Sequence, residues 1–115
     1  MNINDIKNAI NKYSEEELSS LDIVLNGHYY DEEIFQKFDY RIMKRLTHEE
    51  YRWYTLETNV YEFTEKDGKV IGYLAIEEVG TLKSESMDMI DCGVKVKAYN
   101  VKTIMEPTYQ VIYDK

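Results

Sequence analysis

The sequence predicts an α+β fold: two or three N-terminal helices within residues 1–50, then an antiparallel sheet of about four strands within residues 51–115. Three observations predict it. Apolar residues before Tyr51 recur at three- and four-residue spacing, whereas aromatic and β-branched residues dominate after it. The turn signal Lys66-Asp67-Gly68 divides Tyr51–Glu78 into two strand-like runs. With one proline, five glycines and no repeat, the 115 residues contain no linker and read as a single domain.

The first helix is expected from Ile3, Ile6, Ile10 and Tyr13, with Asn2 or Asn4 placed to cap it and Asp5 near the positive end of its dipole. Ser14 and Glu17 have capping-box spacing, and Leu18, Leu21, Val24 and Leu25 form a stripe that ends at Asn26-Gly27. These features predict a second helix over 15–25. A third and longest helix is expected to begin at Asp31. Ile34, Phe35, Phe38, Ile42 and Leu46 would line one face and Lys37, Arg41, Lys44 and Arg45 the other, as a basic complement to its dipole. Thr47 and Glu50 repeat the capping-box pattern, which predicts one helical turn leading into the sheet.

The central hairpin is expected to pair 52–65 with 69–78. A two-residue Asp67-Gly68 turn would set Phe63 opposite Gly72, whereas a type I turn with Gly68 in a bulge would set it opposite Ile71. One residue of slip exchanges the faces, so the inward residues among Val60, Tyr61 and Phe63 stay open. Val70, Ile71, Tyr73, Leu74, Ala75 and Ile76 are apolar at both parities, the pattern of a central strand covered on both sides. Residues 80–92 read as a loop with a short strand over 85–90. A strand over 94–105 follows, with a bulge or bend near Tyr99-Asn100, and a last strand over 109–113 follows the Glu106-Pro107 turn.

Acidic residues outnumber basic ones 22 to 14, and a net charge of −8 repels nucleic-acid phosphates and anionic lipid. Any macromolecular partner is therefore expected to be a basic protein, with no direct binding of nucleic acid or membrane. The single cysteine, the lack of an apolar run of about 18 residues and the lack of a charged-then-apolar leader predict a cytoplasmic chain.

No Walker loop, GxGxxG, HExxH, CxxC or nucleophile elbow occurs, so no enzymatic role, cofactor or metal is expected. His28 or His48 with Cys92, Asp91 and Asp88 could in principle hold a metal, but each histidine stands at the edge of an expected helix, a position that is more often solvated or part of a cap. Glu85, Asp88 and Asp91 lack the glycine and oxygen-ligand spacing of a calcium loop.

Eleven tyrosines stand out, too many for one core. Exposed aromatics among carboxylates supply contact area at low entropy cost together with negative potential, although tyrosine also suits half-buried strands. Carboxylates at Glu15 to Glu17, Asp31, Glu32, Glu33, Glu49, Glu50, Glu77 and Glu78 would occupy phosphate positions on a partner, while Tyr51, Trp53 and Tyr54 fill pockets.

The favoured expectation is a non-enzymatic inhibitor docking on a nucleic-acid-handling enzyme. Anti-CRISPR, anti-restriction and toxin-immunity proteins, some of them phage-encoded, are of this kind. The alternatives are a small-molecule-binding or sensory domain, and a self-assembling structural protein of a phage or mobile element, so a homo-oligomer is compatible with the sequence.

Overall fold

In the computed structural model, residues 1–13, 20–25, 33–52, 54–82, 96–105 and 108–112 are described. Helix α1 (Ile3–Tyr13), a single turn α2 (Leu21–Ile23) and a 3-10 turn at Glu33–Gln36 precede five strands. These are β1 (Phe38–Glu50), β2 (Tyr54–Glu65), β3 (Val70–Leu82), β4 (Lys97–Met105) and β5 (Thr108–Ile112). Each strand pairs antiparallel with the next, so the sheet is a meander in chain order with β3 at its centre. The α+β class and the antiparallel sheet agree with the sequence, whereas the number of long helices and of strands does not.

Asn2 caps α1 reciprocally with Asp5. The Asp5 amide donates to Asn2 Oδ1 at 3.1 Å, and the Asn2 amide donates to Asp5 Oδ2 at 3.2 Å. Three-four spacing then puts Ile6 and Ile10, both fully buried, against the sheet, with Ile3 and Ala9 beside them. Gly72 on β3 makes the close approach possible: a Cβ there would lie 3.0 Å from Ile3 Cβ.

Asn11 fixes the helix to β4. Its Nδ2 donates to the Ala98 carbonyl at 3.1 Å, and its Oδ1 accepts from the Ala98 amide at 2.8 Å. Among the described residues β5 pairs with β4 from Asn100 onward, and Asn11 satisfies the backbone groups of Ala98 just before that stretch.

The core between helix and sheet combines Ile6, Ile10, Leu21, Val24 and Leu25 with Phe35, Phe38, Phe63, Leu74, Ile76, Val96 and Ala98. Phe38 meets Phe35 and Phe63 edge to face, at centroid separations of 6.3 and 5.5 Å. Burial of each large side chain here contributes about 1.5–3 kcal/mol. Leu74, Ala75 and Ile76 are consecutive and all fully buried, as the mixed parity of β3 predicts. Val60 and Ala75 are buried on the face away from α1, where Glu62, itself buried, accepts from Arg41 Nε at 3.0 Å and Tyr73 Oη at 2.9 Å.

The expected third helix is a strand. Residues 38–50 form β1, and among the described residues of the expected helix Glu33–Gln36 makes a 3-10 turn before it. Thr47 and Glu50 likewise lie in the strand and cap no helix, and the chain reverses where the Tyr51 amide donates to the Tyr54 carbonyl at 2.9 Å. Of the second helix, Leu21–Ile23 is helical, whereas 14–19 and Asn26-Gly27 lie outside the described residues.

The hairpin combines both expected registers. The Gly68 amide donates to the Glu65 carbonyl, the Glu65 amide donates to the Lys69 carbonyl, and Gly68 has φ +97°, which is the bulged three-residue turn. A second irregularity beside Phe63 then places that residue opposite Gly72. β3 continues through Leu82, beyond the expected end at Glu78, while the rest of the expected 80–92 loop lies outside the described residues. The ladders of β4 show no register shift at Tyr99-Asn100; the irregularity of β4 falls between Thr103 and Met105.

Candidate functional site

The strand register sorts the polar residues onto two faces. Along β2, Thr55, Glu57, Asn59, Tyr61 and Phe63 point toward the helical layer, and Tyr54, Leu56, Thr58, Val60 and Glu62 point away. On β3, Glu78 shares the helix side with Leu74 and Ile76, and Glu77 takes the other face. The expected pair Glu77-Glu78 is therefore split by the sheet, as is Glu49-Glu50, because Glu49 pairs with Leu56 and Glu50 with Thr55.

Part of the expected docking surface assembles at the β1–β2 turn. Tyr51 stacks on Tyr54 with centroids 5.2 Å apart and planes 23° apart, and Tyr51 Oη donates to Glu49 Oε2 at 3.1 Å. Tyr51 is 44% exposed. Its phenol is shifted above the ordinary value by the hydrogen bond and charge of Glu49, with a smaller contribution from Glu77. Glu49, Tyr51, Tyr54 and Glu77 thus form one acidic, aromatic patch.

The other expected residues do not join it. Glu33 sits before β1, near the opposite end of the sheet, in an i to i+4 ion pair with Lys37 at 3.3 Å. Glu50 takes the helix face and Glu78 is buried. Asp31, Glu32 and Trp53 lie outside the described residues, as do Glu15 to Glu17, His28, Cys92, Glu85, Asp88 and Asp91.

A second site was not anticipated. Ser20, Asp22, Tyr40, Ile42, Glu57, Asn59, Tyr61, Glu78, Val79 and Gly80 line a cleft of about 430 Å³ between α2 and the sheet. At its floor Glu57 and Glu78 are direct cross-strand partners, an arrangement of like charges that costs stability unless other groups compensate. Three donors converge on Glu78: the Leu21 amide at 2.7 Å, Asn59 Nδ2 at 3.0 Å and Tyr61 Oη at 2.6 Å.

These bonds favour the carboxylate, yet burial, helped by the charge of Glu57, outweighs them and holds the Glu78 carboxyl above the ordinary glutamate range. Tyr61 is shifted upward as well, by burial first and then by the Glu78 charge. Glu57 faces different partners. Arg45 Nη1 lies 3.4 Å and His48 Nδ1 3.1 Å from its Oε2.

Local irregularity builds this arrangement. Met43 and Leu46 have no partner in the β1–β2 ladder, and the first of these bulges turns Arg45 to the helix face, where it reaches Glu57. Gly80 leaves the space that the Glu57 carboxylate occupies, because a Cβ at that position would overlap it. Asn59 Nδ2 donates to both glutamates, which fixes the amide orientation, and its buried Oδ1 has no partner. An acceptor left in that state costs about 1–3 kcal/mol.

Among the described residues, no group of three or more His, Cys, Asp or Glu side chains converges to hold a metal. What the cleft offers is an array of acceptors beside two tyrosine rings, Tyr40 and Tyr61, 6.1 Å apart. Reading it from sequence required the hairpin register, which shows polar Glu57 and Asn59 interrupting the inward stripe that begins with Phe63 and Tyr61.

No protein-family model matches the chain, and no curated protein or solved structure matches it. No helix among the described residues is long and apolar enough to cross a membrane.

Proposed function

We propose a non-enzymatic binding protein that docks on a basic surface of a nucleic-acid-handling enzyme and inhibits it. The observation that carries this reading is the stack of exposed Tyr51 on half-buried Tyr54, with exposed Glu49 and half-buried Glu77 beside it. A stacked tyrosine pair presents a large, already ordered contact area, so little rotamer freedom is lost on docking. The flanking carboxylates and a net charge of −8 steer a cationic partner and repel nucleic acid itself. The docking end is narrower than the broad acidic face expected from the sequence, and its centre is Tyr51.

The experiment is capture from a host lysate on the immobilised chain, elution with a salt gradient, and assay of the eluted protein's activity on nucleic acid with and without the chain. Capture of a basic enzyme that weakens steeply with salt is expected, along with inhibition by the added chain. Tyr51→Ala should weaken capture roughly tenfold or more, the effect of removing an aromatic anchor. Salt-insensitive capture, or equal capture by Tyr51→Ala and Glu49→Gln, would refute the reading.

A further inference from the structure

The geometry points to a second binding site: the Glu57–Glu78 cleft takes a small organic cation bearing a primary ammonium or guanidinium group. This inference is independent of the docking reading, because the cleft opens on the helix side of the sheet while Glu49 and Glu77 belong to the other face. Two observations carry it. Two carboxylates are held directly opposite each other across neighbouring strands, and Asp22 lines the same cleft. Separately, Asn59 is 3% exposed, lines the cleft, and has an Oδ1 with no hydrogen-bond partner.

The missing group is a donor. The Asn59 amide cannot reverse to satisfy its own oxygen, since its Nδ2 already donates to Glu57 Oε1 and Glu78 Oε2, and reversal would set the carbonyl oxygen against both carboxylates. A ligand carrying several N–H donors and a positive charge would answer the unpaired acceptor and the excess of carboxylates together. A bare metal ion is the poorer fit, because no set of three metal-ligating side chains converges among the described residues.

The remaining lining suits an organic body. Tyr40 and Tyr61 line it with rings 6.1 Å apart, Ile42 and Val79 add apolar surface, and about 430 Å³ lies within the range of small-ligand sites. Arg45 and His48 already engage Glu57 Oε2, so the site would take a compact cation and exclude one that has to displace both.

The test is isothermal titration calorimetry of the whole chain with putrescine, agmatine and, as the neutral isostere, 1,4-butanediol. Saturable binding of putrescine or agmatine is expected, with none for the diol; the better of the two amines identifies the preferred head group. Glu57→Gln should weaken binding roughly tenfold or more, as expected for loss of a charge-assisted contact. Gly80→Ala should weaken it as well, because the added Cβ displaces the Glu57 carboxylate while every polar group is retained.

Thermal melts of both variants establish that they fold, and Glu49→Gln, on the opposite face, should bind as the parent does. Binding of the diol as strong as that of the amines, unchanged affinity in folded Glu57→Gln and Gly80→Ala, or no saturation by either amine would overturn the proposal.

Discussion

At the scale of single residues, Glu78 is held by its burial and by its partners together. It is 4% exposed, receives three hydrogen bonds and faces Glu57 across the ladder, and its carboxyl is held above the ordinary range by burial and then by the Glu57 charge. A carboxyl raised in this way binds its proton more tightly in the folded chain than in the unfolded one. Its contribution to stability is full below the unfolded pKa and is lost as pH rises through the folded value. Stability from urea unfolding should therefore fall across that window as pH increases. Glu78→Gln should flatten the slope attributable to this site, read as the difference between parent and variant at each pH. Parallel curves for the two proteins would show that Glu78 does not titrate abnormally. In the sequence, charge alone marks Glu78, as half of an expected docking pair with Glu77. Its neighbour's outward direction was legible only in part, because parity in a strand assigns opposite faces without saying which face is covered.

At the scale of elements, β1 shows where sequence patterning misleads. Ile34, Phe35, Phe38, Ile42 and Leu46 have helical spacing, but Phe38, Tyr40 and Ile42 also alternate, and it is the alternation that the fold uses. The two bulged residues, Met43 and Leu46, break the two-residue period beyond Ile42, which leaves the helical pattern looking the stronger. Helix α1 and the hairpin are legible because their signals agree: cap, period and turn chemistry point the same way. The basic residues of β1 acquire a different meaning from the expected dipole complement. β1 is an outer strand of the sheet, and it exposes Ile42 and Met43 directly before Lys44 and Arg45. Cations and bulges on such an edge discourage pairing with another chain. Replacing Lys44 and Arg45 together with threonine should produce association that grows with concentration, measured as mass by light scattering over a dilution series. The same mass at every concentration as for the parent would mean that the bulges alone protect the edge. Arg45→Thr by itself separates this effect from loss of the contact with Glu57.

At the scale of the whole molecule, the sheet acts as a partition. The alternation of β2 and β3 places Leu56 and Glu77 on one side and Glu57 and Glu78 on the other, so two polar regions share the same strands while facing away from each other. The Glu49–Tyr51–Tyr54–Glu77 patch presents exposed Glu49 and Tyr51 to solvent and acts at a distance, over about a Debye length of 10 Å at 0.1 M salt. The Glu57–Glu78 cleft lies between α2 and the sheet with Glu78 buried at its side, and a buried charge is screened by salt much less. The two regions should therefore respond to different variables. Glu49→Gln with Glu77→Gln should reduce salt-sensitive capture of a basic protein while leaving the affinity for putrescine or agmatine within about 0.5 kcal/mol of the parent, the additivity expected of sites with no shared partners. Gly80→Ala should do the reverse, weakening amine binding and leaving capture intact. Raising the salt concentration should separate the two readings again in the unmodified chain, with capture falling steeply and amine affinity declining far less. If the Glu49/Glu77 variant lowered both readings, or if Gly80→Ala did, the opposing faces would be energetically coupled through β2 and β3, and the acidic end and the cleft would have to be treated as one site.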